Sequence, residues 1–247
     1  MRRYADAVRA YDRALILSPD LRAAAAAKGR IYLLWKGNLD TLRAALASWP
    51  TDADLDGQGS ALELRAYMLL LERKADAMLA LVGAARSGEY QSTWHSESNL
   101  CLYTAYAHRL QGDERAAPAA FASALDEIPK AKNVSSADEL PWLHGHRGLA
   151  LAGLGRKADA LEETRWVQRS VVFREDHHSG PALAEERAQV LAQAGDADAA
   201  LDEIERLLTG PSLVTVHTLR LDSRWDPIRQ HPRFQALLTK YGAGASR

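Results

Sequence analysis

The sequence predicts an all-α protein, an α-solenoid of antiparallel helix pairs, and three observations lead to this prediction. The same apolar pattern occurs in six places. In each, an Ala or Leu is followed four residues later by a bulky apolar residue, and three residues after that by another small or apolar residue. These places are 35 to 43 residues apart, a period typical of helical repeat arrays. The chain is rich in Ala and Leu and lacks long strand-like runs of Val, Ile and aromatic residues. The six instances begin at Ala7, Leu42, Ala77, Ala117, Ala160 and Ala200.

The first element, residues 4–17, matches the second helix of a pair and not the first. A second helix without its partner leaves an apolar face bare, and repeat arrays normally protect their ends with caps. We therefore expect this face to be partly exposed or covered by another molecule. The chain would then be the C-terminal part of a longer protein, or would form a homo-oligomer through this helix. The i, i+3, i+4 spacing assigns to the face Tyr4, Ala7, Val8, Tyr11 and Leu15.

The segment after the second repeat has the spacing of an EF-hand calcium loop. Carboxylates and a bidentate Glu would surround Ca²⁺ with hard oxygen ligands. However, Gly59 stands where such loops usually carry an apolar residue, no second loop exists, and Pro50 interrupts the entering helix. We favour a polar linker between repeats and keep calcium binding as the alternative. The motif consists of Asp52, Asp54, Asp56, Gly57 and Glu63.

The fifth unit shows the expected helix pair most clearly. Its first helix is predicted over residues 141–153, with Gly148 at a close helix contact. Gly155 lies in the turn, where a glycine supplies the left-handed conformation that ends a helix. The second helix is predicted to begin near Lys157.

The same turn position is occupied by Gly112 in the fourth unit and Gly195 in the sixth. Asp113 and Asp196 follow these glycines and are placed to cap the next helix. In all we expect about eleven to thirteen helices and no sheet, because the apolar period is helical throughout. Longer loops are expected at residues 130–136 and 173–180.

The repeats resemble those of tetratricopeptide repeat proteins over most of the chain to about residue 209. The family's 34-residue unit has small residues at two helix contacts, a turn Gly, and then an aromatic, an Ala and a Pro. Leu42, Leu46 and Trp49 depart from this pattern in the second unit. The resemblance implies a right-handed superhelix whose first helices line a concave surface. The matching residues are Gly29 and Tyr32; Gly112, Ala117, Phe121, Ala124 and Pro129; and Gly148, Gly155 and Ala160.

The array is predicted to span residues 1–212, beginning mid-repeat, and residues 213–241 form a capping segment. Pro227 and Pro232 each stand at the first position of a short helix, where the missing N–H costs nothing. Trp225 and Phe234 are expected to cover the last repeat, and residues 242–247 to form a disordered tail. This segment resembles the ending of bacterial multidomain signalling proteins in which such repeats follow an effector domain. That resemblance implies a sensory or scaffolding module.

Composition narrows the possible partners. Lys and Arg total 31 against 32 Asp and Glu, and no basic block is present, so nucleic-acid binding is not expected. No apolar run approaches the length of a membrane span, and the N-terminus has no signal-peptide core. Cys101 is the single cysteine, which agrees with a reducing, cytoplasmic location and with a buried packing role.

No catalytic, cofactor-binding or metal-binding residue is predicted. His144 and His146 are two residues apart on a helix, so they point in different directions. His177 and His178 are expected in a solvated loop, and Gly153 and Gly155 belong to a repeat turn rather than to a phosphate loop. Acidic neighbours are predicted to face solvent on the repeat exteriors, as in Glu162–Glu163 and Glu185–Glu186.

The predicted function is therefore a non-catalytic scaffold or sensory module that binds a peptide or partner protein on its concave surface. Aromatic and Arg residues commonly dominate such contacts. The alternative for Tyr106 and Trp142 is packing between helices. Alternatives for the function are self-association within a larger regulator, or a response to calcium or another metal. The candidate partner-binding residues are Asn99, Leu102, Tyr106, Arg109, Trp142, Glu185 and Gln189, with Leu149 and Gln193 in the same register.

Overall fold

The computed structural model describes residues 3–47, 49, 61–87, 94–128 and 139–242. Over these residues the chain is all-helical, with fourteen α-helices, one 3-10 helix and no strand. The helices are α1 (Tyr4–Leu17), α2 (Arg22–Lys36), α3 (Asp40–Ala47), α4 (Ala61–Leu71), α5 (Ala75–Ser87), α6 (Trp94–Gln111), α7 (Ala116–Glu127), α8 (Leu140–Gly153), α9 (Lys157–Arg169), α10 (Val171–Glu175), α11 (Ser179–Ala194), α12 (Ala197–Thr209), α13 (Val216–Leu221), the 3-10 helix (Ser223–Ile228) and α14 (Pro232–Gly242). The all-helical class is as predicted. The described residues form more helices than the eleven to thirteen expected, and the additional ones include short helices such as α10 and α13.

Helices pack mainly on their neighbours in sequence, from α1 on α2 through to α11 on α12. A second set of contacts joins α4 to α6, α6 to α8 and α8 to α11. Helices α4, α6 and α8 therefore each contact the helix that follows them, and they also contact α6, α8 and α11 respectively. The predicted boundaries of the fifth unit agree with α8 and α9 to within one residue.

Glycines mark the closest helix approaches. A Cβ placed on Gly29 would lie 2.6 Å from the Cα of Leu42, so α2 and α3 meet at their backbones. A Cβ on Gly148 would lie 3.1 Å from a methyl of Val190 and 3.4 Å from Glu163 Cβ. The close contact predicted at Gly148 therefore involves both α9 and α11.

Left-handed residues end the first helix of five units, as predicted for the turn glycines. Gly112, Gly155 and Gly195 have φ of 71°, 73° and 92°. The capping role of the following acids is also confirmed. The Asp196 carboxylate accepts a hydrogen bond from the Ala199 N–H at 3.2 Å, and that of Asp113 accepts one from the Ala116 N–H at 2.8 Å.

The register predicted for the third unit is wrong by one residue. Ala77 is exposed, and Met78 and Val82 take the buried positions of α5. The reason is the turn before α5, where Arg73 adopts a φ of 56°. In the other units the left-handed residue is a Gly, and the first buried residue of the pattern follows five positions later. Met78 stands five positions after Arg73, so the structural repeat is preserved without its glycine.

The expected incomplete cover of α1 is present. Val8 is buried, whereas Tyr4 and the other members of the face are half-buried. The Tyr4 ring stacks on Trp35 of α2, with the ring centroids 6.3 Å apart. Ile16 and Leu17, at the end of α1, are 77% and 85% exposed.

The predicted C-terminal cap is confirmed. Trp225 and Phe234 are fully buried in one apolar cluster with Leu201, Ile204 and Leu208 of α12. The last helix continues to Gly242, the residue at which the tail was predicted to begin, and residues 243–247 lie outside the described residues. The C-terminal segment therefore covers α12 with two buried aromatic side chains.

The capping segment also reaches the beginning of the array, which the sequence did not predict. Helix α13 packs on α2, and Leu221 packs against the apolar cluster that α2, α3 and α4 share. The guanidinium of Arg73 donates to both carboxylate oxygens of Asp226, at 2.8 and 2.6 Å. The C-terminal segment thus contacts α2 and Arg73 as well as α11 and α12.

Three further predictions concern loops and membranes. The loop predicted at residues 173–180 is partly helical, because α10 ends at Glu175 and α11 begins at Ser179. Residues 130–136 and the acidic motif from Asp52 to Gly57 lie outside the described residues, whereas Glu63 is in α4. None of the described helices has the length and apolar character that a membrane span requires.

Candidate functional site

Four of the predicted partner-binding residues meet around one cavity of about 210 Å³. Asn99 comes from α6, Trp142 from α8, and Glu185 and Gln189 from α11. Helix α8 packs on both α6 and α11, and this packing brings the residues together. The remaining lining residues are His146, Leu149, Ala182, Glu186 and Arg224.

The other three candidates do not line this cavity. Leu102 and Tyr106 are buried in the core, and Tyr106 packs edge-to-face on Phe121 with ring centroids 5.6 Å apart. The alternative of packing between helices is therefore correct for Tyr106. Arg109 is exposed; its guanidinium lies over the Phe121 ring and donates to the Gln193 side-chain oxygen at 2.8 Å.

The acidic pair of α11 lies inside the molecule, so the prediction that both residues face solvent is wrong. Glu186 is buried and Glu185 is half-buried. The reason is that α11 packs on α8, α9, α12 and the 3-10 helix, which leaves it no fully solvated face. Glu163 also departs from the prediction, since it is half-buried and pairs with His144, whereas Glu162 is exposed.

A glycine lets the Glu186 carboxyl lie directly against α8. A Cβ on Gly145 would be 2.7 Å from both Cδ and Oε1 of Glu186. Glu186 is followed by Gln189 at i+3, and Glu185 by Gln189 at i+4, so all three lie on neighbouring parts of one helix surface. The Gln189 amide nitrogen donates to Glu185 at 3.4 Å.

The C-terminal segment brings one cation to the cavity, and that cation is already paired. Arg224 Nε lies 3.0 Å from each carboxylate oxygen of Asp222, and Nη2 lies 2.5 Å from Oδ2. The Asp222 side chain is buried and also accepts the Arg224 N–H at 2.9 Å. The Arg224 guanidinium rests 5.2 Å from the centroid of the Tyr67 ring. Most of the Arg224 charge is thus balanced by Asp222.

Burial raises the pKa of Glu185 to about 7 and that of Glu186 to about 8. Desolvation is the main cause, since it penalises the charged form of a carboxyl. The nearby Arg224 charge lowers both pKa values but does not cancel the effect of burial. Near neutral pH the pair therefore carries less negative charge than two exposed glutamates would.

Two acceptors of the cavity have no hydrogen bond. Glu186 Oε1 and Gln189 Oε1 are both buried without a partner. Gln189 is 1% exposed, and neither oxygen has accessible surface of its own. Buried acceptors without a donor cost free energy.

His146 connects α6 to the acidic pair. Its Nδ1 lies 2.8 Å from Ser98 Oγ, and its Nε2 lies 3.7 Å from Glu186 Oε1. The order of groups is that of a Ser–His–acid triad. However, Ser98 is fully buried and does not line the cavity, so the arrangement presents no nucleophile to a ligand bound there.

His144 and His146 do not share one site. His144 pairs with Glu163 and stacks on Trp166, whereas His146 contacts Ser98, so the two point to different helices. Within the described ranges, no three His, Cys, Asp or Glu side chains are grouped to hold a metal ion. Cys101 is buried, as predicted.

Sequence reasoning missed Glu186, His146 and Arg224. The repeat pattern places α8 and α11 side by side, and this could have drawn attention to inward-facing polar residues on both. No periodic signal places Arg224 there, because it arrives from a segment outside the repeats.

Comparisons of the chain with family models, with curated proteins and with solved structures gave no match.

Proposed function

We propose that the chain is a non-catalytic recognition module of the tetratricopeptide type, a right-handed solenoid that binds a short segment of a partner protein on its concave surface. The observation that carries this proposal is the cavity between α6, α8 and α11. Asn99, Trp142, Glu185 and Gln189 were selected from the helix register alone, and they line this one space. A peptide site of this kind requires that the first helices of successive units pack side by side.

The packing of the helices supports the solenoid. Contacts run from each helix to the next and from first helix to first helix over α4, α6, α8 and α11. In five units a left-handed residue stands five positions before the first buried residue of the second helix. Both features are expected of a repeat array in which each unit packs on its neighbours.

The character of the cavity supports a ligand with both apolar and polar groups. Leu149 and Trp142 offer apolar surface, and Asn99, Gln189 and the carboxyls offer hydrogen-bonding groups. Such mixed concave surfaces are typical of sites where apolar contact supplies affinity and a few polar groups fix orientation. A side chain projecting from an extended peptide matches this description.

The experiment is a selection from a random peptide library displayed on phage. Peptides enriched on the wild-type protein are then titrated against Gln189→Ala and against Gln235→Ala, an exposed glutamine of α14. We expect Gln189→Ala to weaken binding by about 10-fold, since a bidentate or buried polar contact is worth roughly 1.4 kcal/mol or more, and Gln235→Ala to leave it unchanged. No enrichment over an unrelated helical protein, or equal binding to Gln189→Ala, would overturn the proposal.

Self-association is a second candidate, favoured by Ile16 and Leu17. Both are large, apolar and mostly exposed, and they adjoin the half-buried face of α1. Sedimentation equilibrium of the wild type and of Leu17→Lys tests this. A dimer that Leu17→Lys dissociates would support it, and a monomer at all concentrations would exclude it.

A further inference from the structure

A second cavity, of about 120 Å³, shares Glu185 with the cavity described above. It lies where α2, α4, α11 and the chain around the start of α13 meet. Leu213, between α12 and α13, is 47% exposed, so this cavity lies close to solvent. Its apolar wall consists of Leu33, Leu34, Leu64 and Leu213.

Arg30 of α2 is the cation that lines this cavity. Within the described residues its guanidinium has neither a hydrogen bond nor an ion pair, and its nitrogens retain accessible surface. The side chain is half-buried, and its charge favours the ionised form of the Glu185 carboxyl on α11. The guanidinium is therefore on the side of α2 that faces the cavity, where it can donate to a bound group.

Tyr67 of α4 supplies a second donor to the same cavity. Its hydroxyl has no hydrogen bond within the described part of the chain, and it too retains accessible surface. Thr218 differs, because its hydroxyl donates to the Thr215 carbonyl oxygen at 3.0 Å and accepts the Thr215 N–H at 2.9 Å. The polar groups open to a ligand are thus a guanidinium and a phenol beside an apolar wall.

From this arrangement we propose that the second cavity binds a small monocarboxylate whose hydrocarbon chain has about four to five carbons. Its carboxylate would pair with Arg30 and accept a hydrogen bond from the Tyr67 hydroxyl. Its hydrocarbon chain would contact the leucines of the apolar wall. The inference goes beyond the proposed function and does not rest on it, because the ligand is a small molecule and not a protein segment.

The size of the cavity sets the length of the chain. An apolar cavity of about 150 Å³ holds a benzene molecule. A space of about 120 Å³ therefore takes a slightly smaller hydrocarbon group, such as a branched chain. Acetate lacks this chain and would leave the apolar wall without a contact.

The unpaired guanidinium selects a carboxylate. A guanidinium is planar and presents its donors in a fork that matches the two oxygens of a carboxylate. A neutral hydrocarbon would remove water from Arg30 without giving it a partner, which costs free energy. An amine would place a second positive charge beside Arg30.

Glu185 makes binding dependent on pH. Burial raises its pKa to about 7, so the carboxyl is increasingly neutral below that pH and competes less for Arg30. The ligand stays ionised between pH 6 and pH 8, and its affinity should fall by up to about 10-fold over this range as Glu185 ionises. The titratable and charged groups that surround Glu185 are Arg30 (α2), Tyr67 (α4), His146 (α8), Glu186 (α11), and Asp222 and Arg224 of the C-terminal segment.

The test is saturation-transfer difference NMR of 4-methylpentanoate with the full chain at pH 6. We expect the acid to bind at least 10-fold more tightly than 4-methyl-1-pentanol, 4-methylpentylamine or acetate. Arg30→Gln should weaken binding of the acid at least 10-fold. The matched control is Arg22→Gln, an exposed arginine of the same helix, which should bind as the wild type. Circular dichroism establishes that both variants are folded.

Contacts of the ligand locate the site and separate this inference from the proposed function. Nuclear Overhauser effects from the ligand methyls to Leu33 and Leu64 are expected, and binding without them would place the acid on the surface and overturn the inference. Equal binding of acid and alcohol, or of Arg30→Gln and wild type, would also overturn it. If selected peptides bind and 4-methylpentanoate does not, the inference is wrong and the recognition function stands. If the acid binds at these leucines and no peptide does, the inference stands and the recognition function is wrong.

Discussion

The buried glutamates of α11 set the electrostatic character of the interior. A carboxyl removed from water is stable there only when it is protonated or compensated by a cation. Glu186 has neither a full hydrogen-bond complement nor a close cation of its own. This single position therefore links the stability of the fold to pH.

A change of Glu186→Gln should flatten the pH dependence of stability. The folded pKa of about 8 is above the ordinary value of 4.5, so the contribution of Glu186 to stability is fully present below about pH 4.5 and is lost as the pH rises through 8. The wild type should lose on the order of 4 kcal/mol between pH 5 and pH 9 through this group. Thermal melts should show a smaller loss for Glu186→Gln and a wild-type loss for Glu162→Gln. Parallel pH profiles for all three proteins would contradict the burial argument.

Glycines in helices have different roles, and a matched pair of substitutions separates them. Gly29→Ala places a Cβ 2.6 Å from the Leu42 backbone, which no side-chain rotation can relieve. We expect a loss of roughly 1–3 kcal/mol. Gly83 of α5 has nothing within 4 Å of the added Cβ, so Gly83→Ala should be neutral or stabilising by up to about 1 kcal/mol. Urea unfolding of both variants provides the measurement, and equal effects would show that α2 and α3 are further apart than described.

At the scale of elements, the turn before the second helix of each unit is the most regular feature. Its left-handed residue is glycine in four units and Arg73 in the third. No glycine marks the turn at Arg73, so the sequence offered no turn signal to distinguish Ala77 from Met78, which holds the buried position. The apolar pattern alone could not correct this, since Ala77 and Met78 are both apolar neighbours.

The capping segment should be required for the stability of both α2 and α12, which it contacts. Trp225→Ala removes a fully buried aromatic and should cost about 3–5 kcal/mol. Because α13 packs on α2, hydrogen exchange should increase in α2 as well as in residues 198–209, with protection retained in residues 100–125. Gln230→Ala, an exposed change in the same segment, is the control. Loss of protection confined to residues 198–209 would mean that the contact with α2 contributes little.

At the scale of the whole molecule, the helical class, the fifth unit and the cap could be predicted from the sequence. Each of these three features depends on local apolar periodicity or on contacts between neighbouring units. Periodicity and neighbour contacts both leave a repeating pattern in the sequence. The bridge between Arg73 and Asp226 joins residues 153 positions apart and leaves no such pattern. The sequence therefore predicted only the part of the candidate site that α6, α8 and α11 form. It did not predict Arg224, which comes from the C-terminal segment.

The 3-10 helix packs on α11 and brings Arg224 to the cavity. The other lining residues come from α6, α8 and α11. A partner segment would insert a side chain here while its backbone stays outside. The affinity of such a site depends on a few buried contacts and not on a large interface.

The most direct measurement of the recognition site is a ¹H–¹⁵N spectrum of the side-chain amides during titration with a selected peptide. Asn99 and Gln189 line the cavity, whereas Asn38 and Gln235 are exposed elsewhere. We expect the Asn99 and Gln189 signals to shift in proportion to the bound fraction, and the Asn38 and Gln235 signals to remain in place. Shifts at Asn38 or Gln235 with Asn99 and Gln189 unchanged would contradict the account, because the peptide would then bind outside the cavity.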